Sequence, residues 1–210
     1  GLEDLVIGAI SAEDGGFSTG MAYVVHGTSS GAATLDLGSL DGSNGFRMVG
    51  PENSSELGSS VSDAGDVNGD GIDDFILGAF TADQAGGTNS GSAFVVFGVQ
   101  GGFGPSVNLG SLNGSNGFRI NGAAPFDRAG AEVSSAGDVN GDGFDDLLAG
   151  APQADPNGRS AAGEVAVIFG GPAFAPTLNL ATLTPAQGIR IFGASALDET
   201  GGADGANDLR

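Results

Sequence analysis

Short apolar runs, each closed by glycine, set the rhythm of this chain. Asp4-Leu-Val-Ile-Gly-Ala9 returns as Asp74-Phe-Ile-Leu-Gly-Ala79 and Asp146-Leu-Leu-Ala-Gly-Ala151. Tyr23-Val-Val-His-Gly27 returns as Phe94-Val-Val-Phe-Gly98 and Val165-Ala-Val-Ile-Phe-Gly170. The runs are rich in Val, Ile, Leu and Phe and bounded by Gly, Pro, Asn and Ser, which is the signature of strands. In the third copy the pattern predicts strands at Ala131 to Ser135, Asp146 to Ala149, Glu164 to Phe169 and Gly188 to Phe192. No segment keeps a 3.6-residue apolar period with caps, so almost no helix is expected. Runs without polar alternation, such as Phe75-Ile-Leu77 and Val95-Val-Phe97, imply burial on both faces.

The repeat is about 72 residues long, since Ser39-Leu-Asp-Gly-Ser-Asn-Gly-Phe-Arg47 recurs as Ser111-Leu-Asn-Gly-Ser-Asn-Gly-Phe-Arg119. Units run at about 1–56, 57–128 and 129–193, with a partial unit at 194–210. Four strands per unit at this period predict an all-β fold of β-propeller blades, about three blades' worth, offset by one strand. Three blades fall short of the about four to eight that close a ring. The sequence therefore predicts either a piece of a longer propeller or open edges that pair with another chain. The first residues, Gly1-Leu-Glu-Asp4, begin in mid-repeat, and the half-loops at Asp4 and at Asp204 to Asp208 lack their first ligands.

Two nine-residue loops carry the candidate chemistry. They are Asp66-Val-Asn68-Gly-Asp70-Gly-Ile72-Asp-Asp74 and Asp138-Val-Asn140-Gly-Asp142-Gly-Phe144-Asp-Asp146. Side-chain oxygens stand at the first, third, fifth and ninth places, and the carbonyls of Ile72 and Phe144 can serve at the seventh. A hard cation such as Ca²⁺ takes six to eight oxygens at about 2.3–2.6 Å, and a donor at every second residue wraps one ion. An EF-hand would need an acidic ligand at the twelfth place. That place holds Leu77 and Ala149.

Composition narrows the function. The formal net charge is −20, with 26 acids against 6 arginines and no lysine, which disfavours nucleic acid and anionic lipid as partners. There is no cysteine and one histidine, so thiol and zinc chemistry have no residues to use. No run approaches the roughly 20 apolar residues of a membrane span. Gly27-Thr-Ser29-Ser-Gly31 matches a nucleophile elbow, but no helix is expected after it. Arg47, Arg119 and Arg190 share one repeat position, read as salt bridges or edge charges rather than a guanidinium ring for a glycan. Glu13, Asp83 and Asp155 recur in the turn after the second strand and are read as solvated. Asn53-Ser-Ser55 and Asn113-Gly-Ser115 are glycosylation sequons.

Around these loops, Phe97-Gly98, Phe169-Gly170, Gly78-Ala79 and Gly150-Ala-Pro152 resemble FG-GAP repeats. That family forms the β-propeller of integrin α-subunits and of many bacterial surface and secreted proteins. The resemblance implies one Ca²⁺ on Asp66, Asn68, Asp70, the Ile72 carbonyl and Asp74, and another on Asp138, Asn140, Asp142, the Phe144 carbonyl and Asp146. The first unit departs from the pattern: its loop is cut short and His26 replaces the phenylalanine. The expected function is a non-enzymatic, calcium-stabilised extracellular propeller for adhesion or assembly. The expected partner is a protein or glycan at the cell surface, with self-association through open edges. A glycan-binding module and an accessory propeller of a larger secreted enzyme are the alternatives.

Overall fold

The computed structural model describes residues 2–29, 34–83 and 86–202. It is all-β. Numbered along the chain, blade 1 holds β1 (Leu5–Ala9), β4 (Met21–Val25) and β5 (Gly45–Val49), while β2 (Glu13–Asp14) and β3 (Phe17–Ser18) make a small hairpin. Blade 2 holds β6 (Val61–Gly65), β7 (Asp74–Ala79), β8 (Ser92–Val96) and β10 (Gly117–Asn121). Blade 3 holds β11 (Val133–Gly137), β12 (Asp146–Ala151), β13 (Glu164–Ile168) and β15 (Gly188–Phe192). Within each blade, neighbouring strands are antiparallel. The helical content is limited to short 3₁₀ turns such as Leu109–Ser111 and Leu180–Thr182.

Two further strands correct the expected four per blade. β9 (Ser106–Asn108) and β14 (Thr177–Asn179) lie between the third and fourth strands of their own units, yet pair in parallel with the outer strand of the preceding blade. Val107 stands opposite Met48 and Leu178 opposite Ile120. A three-residue segment that pairs outside its own unit leaves no periodicity to read. These straps are anchored by aromatic contacts, Phe103 against Phe46 with centroids 4.7 Å apart and Phe174 stacked on Phe118 at 4.4 Å.

The first strand of blade 3 also differs from expectation, starting two residues late and running to Gly137. Gly130 and Ala131 spend their amides on Gly150 O and Arg128 O, and a bulge between Ser135 and Gly137 carries the ladder on. In β12 the Gly150-Ala151 pair lies inside the strand rather than closing it.

The core lies between blades. Ile76, Val95 and Phe97 pack towards blade 3 with Leu147, Ile168 and Leu180. Their sequence neighbours Leu77, Phe94 and Val96 pack towards blade 1 with Val24, Phe46 and Met48. Both faces of blade 2 are therefore covered, which accounts for apolar runs without alternation.

Blades touch backbone to backbone at the repeated glycine. A Cβ on Gly8, Gly78 or Gly150 would lie 1.9, 2.0 or 2.0 Å from the carbonyl oxygen of Gly58, Gly130 or Gly201 in the following segment. Real Cβ atoms do not approach a backbone oxygen that closely, so only glycine allows this spacing.

The chain entering each new blade is held by a buried polar residue, Ser55 or Asp127. Asp127 Oδ2 accepts from Ala124 N at 2.9 Å. Burial pushes its pKa up to about 6; the Ala124 N–H opposes this, the Glu164 charge adds to it, Arg190 opposes it, and Asp155 adds to it. The folded chain thus takes this proton as pH falls through about 6, while the unfolded chain waits until near 3.8. Stability tied to this group rises as pH falls across that window and is lowest above it. Asp127→Asn is therefore expected to be more stable than the wild type by roughly 1–3 kcal/mol at pH 7, at about 1.4 kcal/mol per unit. The difference should vanish by pH 4. Urea melts of both proteins at pH 4, 5.5 and 7 check it, and a gap that does not change with pH would refute it.

Candidate metal loops and the glycines that close them

Each loop connects the first two strands of a blade, Asp66 to Asp74 between β6 and β7 and Asp138 to Asp146 between β11 and β12. The glycines permit the tight path: Gly69, Gly71, Gly141 and Gly143 all take positive φ. Asp66 Oδ1 accepts from Asp70 N at 3.0 Å and Oδ2 from Gly71 N at 2.9 Å. Asn68 Oδ1 accepts from Asp70 N at 2.8 Å, and Asp70 Oδ1 accepts from Ile72 N at 2.9 Å. The second loop repeats this: Asp138 takes the amides of Asp142 and Gly143, Asn140 that of Asp142, and Asp142 that of Phe144.

The ninth-place aspartates differ from the rest because they are fully buried. Asp74 Oδ2 accepts from Val67 N at 3.0 Å and Oδ1 from Gly98 N at 2.8 Å. Asp146 accepts in the same way from Val139 N and Gly170 N, each at 2.9 Å. Burial pushes the Asp74 pKa up to about 7 against the Gly98 and Val67 amides, with the charges of Asp70 and Asp66 adding to the rise.

Gly98 and Gly170 are the glycines of the two Phe-Gly pairs, and their role was not visible in the sequence. Their amides hold the buried aspartate, and a Cβ would lie 2.4 Å from Asp73 O or 2.5 Å from Asp145 O. In blade 1, Gly27 N still donates to Asp4 Oδ1 at 2.9 Å although His26 stands in the phenylalanine's place. The half-loop at Asp204 to Asp208 lies outside the described residues.

The two loops also grip each other. Asp145 Oδ2 accepts from Asp66 N at 2.8 Å, and Asp145 N donates to Asp66 O at 3.2 Å. Phe144 lies over Gly69, and Gly171 N donates to Val67 O at 2.9 Å. The sequence signal for this clamp was the repeated eighth-place aspartate, Asp73 and Asp145, which the ligand pattern left without a role.

For a cation, the donor set is oxygen only, which suits a hard ion. The acids of the first loop act on one another, since Asp66 and Asp70 both raise Asp74. Among the described residues, however, no three acidic or histidine side chains converge into a ready cluster. The loops are held by side-chain to backbone hydrogen bonds, and the half-buried Asp66 and the exposed Asp70, Asp138 and Asp142 would have to turn from amides towards an ion.

The repeated arginines divide. Arg119 Nη1 is 3.2 Å from Glu52 Oε1 across two blades. Arg190 grips the buried Glu164 with two nitrogens, Nε at 3.1 Å and Nη2, and lies over Phe192. Two of the three thus serve salt bridges rather than a common ligand. Asp83 and Asp155 are not merely solvated: each accepts from the amide of a left-handed residue six places on, Asn89 at 2.6 Å and Ala161 at 2.7 Å. His26 Nδ1 faces Ser43 O at 3.3 Å. Ser30 and Gly31 of the elbow-like stretch lie outside the described residues, as do no other members of it. Among the described residues, no helix is long and apolar enough to cross a membrane.

Blades that meet through Gly-Ala and Phe-Gly backbones around an aspartate loop define a repeat protein of the propeller class. The FG-GAP repeat model matches residues 129–168, the stretch from β11 through β13, so the chain carries an FG-GAP repeat there. It is 31% identical over 175 residues to phosphatidylinositol-glycan-specific phospholipase D of Bos taurus, covering 83% of this chain and 19% of that protein. The same enzyme of Homo sapiens is 32% identical over 174 residues, with 82% and 19% covered. Integrin alpha-PS2 of Drosophila melanogaster is 32% identical over 133 residues, 61% of this chain and 9% of that protein. The chain spans about a fifth of the length of the phospholipases it matches.

Proposed function

We propose that this chain is a non-catalytic, calcium-stabilised propeller module of an extracellular protein, serving adhesion or assembly. The observation that carries it is the pair of loops, with identical oxygen donors and near-identical hydrogen-bond frames, docked on each other across two blades. Ca²⁺ would be held by Asp66, Asn68, Asp70, the Ile72 carbonyl and Asp74, and by Asp138, Asn140, Asp142, the Phe144 carbonyl and Asp146. The ion supplies positive charge where Asp66 and Asp70 crowd a buried Asp74. The chain's own part is to fix the ninth-place carboxylate with two amides and to set the turn with glycine. The similarity to integrin alpha-PS2 supports the adhesion reading.

The similarity to phospholipases of which this chain covers 19% favours a second reading, a propeller that accompanies a catalytic domain carried elsewhere in a longer polypeptide. A full-length gene product with a hydrolase segment would decide for it.

A thermal melt at matched ionic strength tests the metal. Extracellular calcium modules bind at about 10⁻⁴–10⁻³ M. Two such sites at a few millimolar Ca²⁺ stabilise by about 1–4 kcal/mol, or roughly 3–12 °C. Asp142→Ala should remove about half of that rise. A melt unchanged between Ca²⁺ and chelator would overturn the calcium reading.

A further inference from the structure

Asp145 belongs to one metal loop and holds the other. It stands between Phe144, whose carbonyl is a candidate donor of its own loop, and Asp146, the last donor there. Its side chain turns away from that loop. Asp145 Oδ2 accepts from Asp66 N at 2.8 Å, and Asp145 N donates to Asp66 O at 3.2 Å. Both backbone polar groups of Asp66, the first donor of loop 66–74, are thus held by one residue 79 positions away.

The contacts beside this clamp fix the same stretch. Gly171 N donates to Val67 O at 2.9 Å, and Val67 is fully buried in one cluster with Leu147 and Ile168 of blade 3. A Cβ on Gly65 would stand 2.2 Å from Asp145 Oδ2, and one on Gly69 would stand 2.4 Å from the Phe144 ring. The backbone from Gly65 to Gly69 carries Asp66 and Asn68, and it takes its shape from the end of the loop beside it. The contact joins two adjoining blades of this chain.

An ion in loop 138–146 would draw on the Phe144 carbonyl and the Asp146 carboxylate, the groups that flank Asp145. Fixing both neighbours orders the residue between them, and a second ion then meets a partner already ordered. Resting on the calcium reading of the loops, we propose that Asp145 is a positioning residue for the ion of loop 66–74, so that filling loop 138–146 tightens loop 66–74 about tenfold. Groups that orient a metal ligand cost about 10–100-fold in affinity when removed. The coupling is reciprocal, as linkage requires.

Charge acts in the opposite sense. An ion in one loop cancels two of its negative charges and weakens the long-range pull on an ion in the other. Salt screens that term, to about 3 Å at 1 M, and leaves the half-buried hydrogen bonds of the clamp. The coupling is therefore larger at high salt than at low salt.

Two glycine amides report the loops separately. Gly71 N donates to Asp66 Oδ2 and Gly143 N to Asp138 Oδ2, bonds given up when those carboxylates turn to an ion. Their nitrogen–proton resonances, followed as Ca²⁺ is added to the 210-residue chain at high salt, give one Kd per loop. Asp142→Ala removes a donor from loop 138–146 and none from loop 66–74, yet the affinity read at Gly71 should fall about tenfold. Asp145→Ala removes no donor of either ion and should give the same fall. The two changes together should cost loop 66–74 no more than one. Asp145→Asn keeps an oxygen facing Asp66 N and should rescue the affinity to that of Asp73→Asn, which removes the same charge at the exposed equivalent place. With coupled loops, Asp142→Ala also removes more than half of the calcium-dependent rise in the melt, half being the share of independent loops.

An affinity at Gly71 that stays within twofold of wild type in Asp142→Ala would overturn the coupling and leave the calcium reading standing. A fall on Asp142→Ala that persists in the Asp145→Ala background would take the role away from Asp145. Resonances that move at neither glycine would overturn both readings.

Discussion

Alanine at Gly78 is expected to lower stability by about 3–5 kcal/mol, or to prevent folding, although it adds a single methyl group. The methyl would sit 2.0 Å from Gly130 O, and that oxygen belongs to backbone fixed on both sides. Gly130 N donates to Gly150 O at 2.9 Å, and Gly78 N to Ser60 O at 2.8 Å, so neither partner can withdraw without breaking a ladder. Overpacking where side chains can adjust costs about 1–3 kcal/mol; a rigid backbone partner puts this change above that range. Gly71→Ala is the control. Gly71 has φ +85° with nothing within 4 Å, so only left-handed strain of about 1–2 kcal/mol applies. Urea melts at fixed Ca²⁺ compare the two, and a Gly78→Ala protein within 1 kcal/mol of wild type would show that the blades can slide apart.

Loss of the buried ninth-place carboxylate is the second large effect. Asp146→Ala strands the amides of Val139 and Gly170, each now 2.9 Å from a carboxylate oxygen. Both amides are half-buried, and an unsatisfied donor there costs towards the lower end of about 1–3 kcal/mol, so the loss is about 2–3 kcal/mol, and it persists in chelator. Asp142→Ala behaves differently. Asp142 is exposed, and water can replace it at Phe144 N, so in chelator its cost stays within about 1 kcal/mol. The two variants, melted with and without Ca²⁺, separate a carboxylate that holds the fold from one that would hold an ion. Equal losses for both, seen only in Ca²⁺, would mean that Asp146 matters through metal alone.

The strands and their repeat were legible in the sequence because each buried strand needs its own apolar residues, and Leu77 beside Ile76 announces two covered faces. The loop aspartates were equally plain as a pattern of oxygens. What the pattern could not reveal was which acids are bound by protein. Asp74 and Asp146 look like any other member of their loops, yet they alone are buried beneath the Phe-Gly amide. The same limit applies to contacts between units. Asp145 reaches Asp66 across 79 positions, and β14 reaches β10 across a blade boundary, and neither leaves a local signature. The glycines of Gly-Ala and Phe-Gly read as strand ends because glycine often marks a turn. Here they mark places where another backbone comes too close for a side chain.

The straps carry one consequence for how such a protein can change length. Because each blade lends a strand to the one before it, the folded sheet and the repeated stretch of sequence never share boundaries. A duplication or deletion of one 72-residue period, wherever its breakpoints fall, would hand each strap to a new neighbour of the same shape. Unequal crossing-over could then add or remove blades without a matching cut at any structural seam, and the ancestry of such a protein would be recorded in its blade count rather than in its joints.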